Sequence, residues 1–194
     1  MKKVLIVPVV LLLATAAAAE NRFFLSAGAG FLRPADENYR AIYGNQAIYP
    51  EFLATIRVVA GFSLTGSYGQ FSRTGTTPEL GIETKATQSF WSAGLSYLLR
   101  LSDTLCLEAG GGFAGLSFKE EALGEMAEGK QNGFKIDGAI LLAPEDERIF
   151  LGLRIGYIFA EATDVFSELA GPQTVRLGGA RIAVCFGVQL FRGD

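Results

Sequence analysis

Eight stretches of this chain alternate apolar and non-apolar residues with a period of two, and the second face of the alternation is mostly Ser, Gly, Ala and Thr. Period two marks strands whose two faces meet different surroundings. The stretches cover residues 23–31, 52–58, 62–68, 91–99, 105–114, 134–142, 151–159 and 182–190. In the first, Phe23, Leu25, Ala27, Ala29 and Phe31 alternate with Ser26, Gly28 and Gly30. In the last, Ile182, Val184, Phe186, Val188 and Leu190 alternate with Arg181, Ala183, Cys185 and Gly187. Abundant glycine (24) and phenylalanine (15) in 194 residues fit strands and turns better than helices. An all-β domain follows.

The connections alternate in length. Short turns fall near 59–61, 100–104 and 143–148, and long polar loops near 34–49, 74–85, 119–130 and 162–173. Short turns at one end, long loops at the other and an even strand number predict an eight-stranded antiparallel up-and-down transmembrane β-barrel with both termini on the periplasmic side. Val59-Ala60-Gly61 reads as a tight turn, with Gly supplying positive φ. A turn at Pro144 to Glu147, centred on Glu145-Asp146, pairs Asp137 with Arg154. Odd apolar parity at Val175 and Leu177 predicts a register-resetting bulge at Gly178-Gly179.

A separate segment precedes the barrel. Met1-Lys2-Lys3 is basic, Val4 to Leu13 is apolar, and Ala17-Ala18-Ala19 is a small-residue cleavage site, so residues 1–19 read as a signal peptide and 20–194 as the barrel domain. The apolar run is too short for a membrane helix and contains Pro8. The only cysteines, Cys106 and Cys185, are far from that site, which excludes lipid acylation there. Their spacing leaves open whether they pair. Of 17 basic residues, Lys2 and Lys3 belong to the leader, against 20 acidic residues overall. The acidic remainder gives no basic face for a nucleic-acid partner.

A soluble periplasmic lipocalin-like ligand-binding barrel would show the same alternation, but with an exterior rich in Lys, Glu and Asp. Here the second face is small, which suits the crowded lumen of an eight-stranded barrel. Aromatics fall toward strand ends: Phe23, Phe62 and Tyr97 near the short turns, and Phe31, Tyr68, Trp91, Phe113, Phe134 and Phe159 near the long loops. Two such belts are expected at lipid interfaces.

On the hairpin from Thr55-Ile56-Arg57 to Ser67-Tyr68, the Gly-rich stretch 105–114 and the closing strand Ile182 to Phe191, the chain resembles the small outer-membrane β-barrels of the OmpA/OmpX type. The resemblance covers essentially the whole mature length. It implies residence in the outer membrane of a Gram-negative bacterium, the lipid bilayer as partner, and insertion by the barrel-assembly machinery, which reads a terminal aromatic. Here Phe191, on the inward parity, is followed by Arg192-Gly193-Asp194.

The chain has no histidine, which removes Ser-His-Asp and Cys-His nucleophilic sites and imidazole metal sites. No enzyme, cofactor or metal is expected. The inward parity carries Arg57, Glu108, Lys135, Asp137, Arg154 and Arg181, and charges in a narrow barrel must pair or stay hydrated. The expected lumen network is Asp137, Arg154, Arg181 and Glu108, with Arg57 as a further inward charge. These observations predict a monomeric, non-enzymatic barrel with a filled lumen and a structural or surface-interaction role. A narrow, porin-like path for ions or small solutes is the alternative.

Overall fold

A computed structural model describes residues 22–59, 61–142, 148–160, 162–167, 171–176 and 178–191. The segment read as a signal peptide, residues 1–19, and the tripeptide Arg192-Gly193-Asp194 lie outside them. Among the described residues there are ten strands and one helix: β1 (Arg22–Pro34), α1 (Glu37–Tyr43), β2 (Ala47–Val59), β3 (Phe62–Thr76), β4 (Glu83–Arg100), β5 (Leu105–Ala122), β6 (Glu125–Leu142), β7 (Ile149–Phe159), β8 (Ala162–Ser167), β9 (Gly171–Val175) and β10 (Gly179–Phe191). Eight of these close an antiparallel barrel in the order β1-β2-β3-β4-β5-β6-β7-β10, and β8-β9 form a separate hairpin.

The alternation sorts cleanly into two faces. Ser26, Ser63, Ser67, Ser92 and Ser96 are buried in the lumen, while Leu25, Phe52, Leu95, Ile136, Leu153 and Val184 are exposed on the outside. A barrel with an apolar exterior and a polar interior inverts the burial of a water-soluble protein. No helix among the described residues is long and apolar enough to cross a membrane.

The regions read as long loops are more ordered than their polarity suggests. The β5–β6 ladder continues to Ala122↔Glu125, so 119–130 is mostly strand, and β3–β4 continues to Thr76↔Glu83. Polar strands cannot be told from loops by alternation when neither face is apolar. Within 34–49, α1 is capped by Asp36, whose side chain accepts the Tyr39 N–H at 2.8 Å. Within 162–173 lie β8 and the start of β9.

Three local expectations are corrected. Asp137 pairs with Gly156, and Arg154 with Ala139, so the β6–β7 register differs by two residues from a turn centred on Glu145-Asp146. A slip of two keeps every side chain on its face. No bulge lies at Gly178-Gly179: β10 begins at Gly179, at φ +155, where a Cβ would meet the Arg33 carbonyl oxygen at 2.1 Å. The irregularity of this ladder falls at its other end, where Phe23 faces Phe191 and Phe24 faces Gln189. The first hairpin is also tighter than three residues, since Val59 pairs directly with Phe62 and the register shifts between Arg57 and Val59.

Gly94 and Gly112 face each other across β4 and β5, where a Cβ on Gly112 would lie 2.3 Å from the Ala93 oxygen and 2.4 Å from the Gly94 Cα. Gly112→Val is therefore expected to cost about 1–3 kcal/mol by forcing these strands apart. Gly66→Ala, whose Cβ meets nothing nearer than 3.7 Å, should be nearly neutral. Urea unfolding from lipid vesicles compares the two.

Candidate functional site

The lumen is filled in layers. Its middle holds six charges from five strands: Glu51 on β2, Glu108 on β5, Lys135 and Asp137 on β6, Arg154 on β7 and Arg181 on β10. Three are acids and three are bases, so the layer is neutral. Arg154 donates from Nη1 and Nη2 to Glu108 Oε1 at 3.1 and 3.2 Å, and from Nη1 to Asp137 Oδ2 at 3.3 Å. Arg181 donates to Glu51 Oε1 at 2.6 Å and to Asp137 Oδ2 at 3.1 Å. Lys135 Nζ lies 2.9 Å from Asp137 Oδ2 and donates to Ser67 Oγ at 3.3 Å. Asp137 is the hub, touched by all three cations.

The structure thus brings Glu108, Asp137, Arg154 and Arg181 together. Arg57 lies nearer the short-turn end, with its guanidinium 5.7 Å from the centroid of the Phe24 ring. Glu51 is a full member that sequence reasoning passes over. Pro50 interrupts the strand pattern just before it, and the β2–β3 ladder begins at Glu51, one residue beyond a proline that has no N–H to give. Tyr49, Glu51 and Leu53 share one buried parity, which is the signal that could have found it.

Above this layer the mouth is packed with apolar side chains. Tyr39 and Tyr43 lie one turn apart on α1 and enter a buried cluster with Leu32, Tyr49, Phe90 and Phe118. The Tyr49 and Phe90 rings meet edge-on at 5.1 Å, and Tyr39 meets Phe118 at 6.4 Å. The Tyr43 hydroxyl donates to Glu120 Oε1 at 2.5 Å and lies 2.8 Å from Thr84 Oγ1. Arg40 donates to the carbonyls of Pro34 and Ala35, which ties α1 to the end of β1. At the other end, Cys106, Ala139 and Leu141 form a second buried cluster with Leu98 and Phe150. Cys106 and Cys185 are both buried free thiols.

Burial, with a smaller contribution from Glu120 opposed by Arg73, pushes the Tyr39 hydroxyl up to about 12. Tyr43 is raised as well, by burial and then by its hydrogen bond to Glu120. Among the described residues, no group of three His, Cys, Asp or Glu side chains could hold a metal ion.

On the exterior, Phe31, Phe62, Tyr68, Trp91, Tyr97, Phe113, Phe134 and Phe159 are all exposed, and Phe23 is half-buried. Phe62 meets Tyr97 at 4.9 Å near the short turns, and Phe113 meets Phe134 at 5.1 Å toward the other end. Phe134 in turn pairs with Phe159 across β6 and β7.

This combination of an apolar outside, a charge-paired inside and an up-and-down ring has the fold of small outer-membrane β-barrels. The chain is similar to the outer membrane protein OprG from Pseudomonas aeruginosa at a TM-score of 0.69 and 12% identity, over 88% of this chain and 96% of that one. Neisserial surface protein A matches at 0.61 and 12% identity, over 87% and 97% of the two chains. Ail, the attachment invasion locus protein of Yersinia pestis, in complex with the heparin analogue sucrose octasulfate, matches at 0.60 and 13%, over 88% and 99%. No protein-family profile matches the sequence, and no curated protein does.

Two outcomes test the layers. Arg181→Met leaves Glu51 buried without its partner and should cost about 3–5 kcal/mol, whereas a Glu51→Gln/Arg181→Met pair recovers most of that loss. Denaturant unfolding in detergent micelles measures both. For the mouth, tyrosine pKa values raised by folding mean that docking of α1 contributes fully below pH 10.0, the ordinary tyrosine value, and is lost as pH climbs through about 12. Ultraviolet absorbance of tyrosinate should therefore show a late-titrating fraction that Tyr39→Phe reduces.

Proposed function

We propose that this protein is a non-enzymatic, monomeric barrel of the bacterial outer membrane, exported by residues 1–19 as a signal peptide and inserted by the barrel-assembly machinery. Its role in this reading is structural or one of surface interaction, with the lumen closed to solutes. The observation that carries the closed lumen is the stacking of an apolar plug on a neutral, mutually paired charge layer. An ion path needs hydrated or singly charged walls, and here each cation already has a carboxylate. The two sets of aromatics act as interface belts: Phe23, Phe62 and Tyr97 at one lipid boundary, and Phe31, Tyr68, Trp91, Phe113, Phe134 and Phe159 at the other.

A surface role is supported by the sheet that rises above the ring. β6 pairs with β7 only as far as Phe134↔Phe159, while its ladder with β5 runs on to Glu125, roughly 30 Å of additional strand. β3 and β4 accompany it, and the tips expose Leu80, Leu123 and Met126. Large exposed apolar side chains beyond the lipid-facing band suit contact with another surface. That Ail has been crystallised with a heparin analogue makes polyanionic surface sugars a class to try first.

In a planar lipid bilayer the purified protein should give no steady conductance, and in detergent electrophoresis its mobility should depend on prior heating. A stable current step would overturn the closed lumen. Recovery in the soluble fraction without detergent would overturn the membrane placement.

A further inference from the structure

The outward face of the sheet that rises above the ring serves neither the lumen nor the tips. Strand register sets its side chains in rows across β3, β4, β5 and β6. One row runs Tyr68, Trp91, Gly115 and Asn132, and the next row up runs Gln70, Ser89, Ser117 and Lys130. The row beneath, Ala93, Phe113 and Phe134, is wholly apolar. In the membrane placement proposed above, the lipid boundary therefore passes through Trp91. Gly115 shapes what lies there. A Cβ on it would stand 2.3 Å from Trp91 Nε1 and 2.4 Å from Cε2, so the indole lies down over the glycine instead of standing off the sheet. Gly115 is buried beneath the ring, while Trp91 itself stays exposed. A groove of about 370 Å³ follows the indole, walled by Ser89, Ser117, Lys130 and Asn132. The two serine hydroxyls bond each other at 2.6 Å, which leaves the pair one proton to give and lone pairs to accept. Asn132 is exposed and adds an amide that both donates and accepts. The face as a whole is electrically balanced, with Glu83, Glu121 and Glu128 against Lys85, Lys119 and Lys130. Lys85 pairs across the strands with Glu121, and Lys119 is ion-paired with Glu128, two residues from Lys130 on the same strand face.

We propose that this groove binds an uncharged pyranose of a glycan presented from outside the cell, with the sugar ring lying on Trp91 and its hydroxyls meeting Ser89, Ser117, Lys130 and Asn132. A pyranose carries C–H groups on one face and hydroxyls around its edge. The groove offers the complement, a flat apolar ring beside short donors and acceptors. Charge and polarity select against other occupants. A polyanion would find Lys130 as the single cation among the described residues that line the groove, with Glu128 close by on the same strand. An acyl chain would leave the serine hydroxyls and the Asn132 amide facing hydrocarbon. The assignment goes beyond the surface role proposed above, and rests on the membrane placement only for the height of Trp91.

Trp91 is the single tryptophan of the chain, so its emission reads the groove directly. The test uses the full mature chain in phosphatidylcholine nanodiscs, which hold no glycolipid, titrated with maltotriose, mannotriose and N-acetylchitotriose. At least one of them should shift or quench the emission with a Kd of about 1 mM. Lys130→Ala/Asn132→Ala, which leaves the indole in place, should weaken that binding roughly tenfold. Trp91→Leu should abolish it when heat of binding is read in place of fluorescence, and Asp103→Asn, in a short turn at the opposite end, should leave it unchanged. No response to any of the three sugars overturns the proposal, as does equal affinity of wild type and the Lys130/Asn132 variant. Tighter binding of sucrose octasulfate than of every uncharged sugar also overturns it and assigns the face to polyanions. Quenching by acyl-brominated lipid without any sugar response overturns it by giving Trp91 to the bilayer. A heat-dependent mobility shift in every variant shows that the barrel itself is intact, so failure of the groove is distinguishable from failure of the membrane reading.

Discussion

In hydrocarbon a backbone N–H or C=O has no water to turn to, so a sheet can live there only if it has no edge. The seam between β1 and β10, paired from Pro34↔Gly179 to Phe23↔Phe191, is therefore the contact on which the rest depends. Once the ring closes, eight strands leave an interior just wide enough for side chains. Every inward residue must then be small, or matched to a partner on another strand. The serines of β1, β3 and β4 meet the first condition, and the six charges of the middle layer meet the second. The outside needs no such matching, which is why it reads as a plain run of Leu, Ile, Val and Phe.

What could be read from the sequence follows from that division. The strand order comes from the alternating connection lengths; the two faces and the inward placement of Glu108, Asp137, Arg154 and Arg181 come from parity, and parity survives a register error of two residues, as at Asp137↔Gly156. Parity fails where both faces are polar. The upper parts of β5 and β6, with Lys119, Glu120, Glu128 and Lys130, look like loop because nothing apolar marks an inside. It fails again at Pro50, which hides the first residues of β2 and with them Glu51. The plug could not be foreseen from alternation, since Tyr39 and Tyr43 sit in a seven-residue helix too short to show a helical period against its polar flanks.

The two halves of the lumen do different physical work. The apolar mouth excludes water from the charges beneath it, which strengthens each pair and raises the penalty for leaving one unmatched. The charge layer in turn fixes which strands may lie opposite one another, because Asp137 can be satisfied by Lys135, Arg154 and Arg181 in one arrangement of β6, β7 and β10. An all-apolar filling of the same volume could accept several registers. A neutral cluster with a single hub accepts few.

The Glu51–Arg181 pair joins residues 130 positions apart, one on the second strand of the ring and one on its last. Glu51 meets Arg181 only once the last strand has been delivered to the first, while Arg181 also holds Asp137 of β6. Before that moment an incomplete sheet leaves the Glu51 carboxylate without this guanidinium, and hydrocarbon rejects such a group. The same pair that locks the finished barrel thus penalises its precursors, and closure of the ring is favoured as one concerted event over strand-by-strand completion. Order of assembly is in this sense written into the lumen, as a charge debt that only completion cancels.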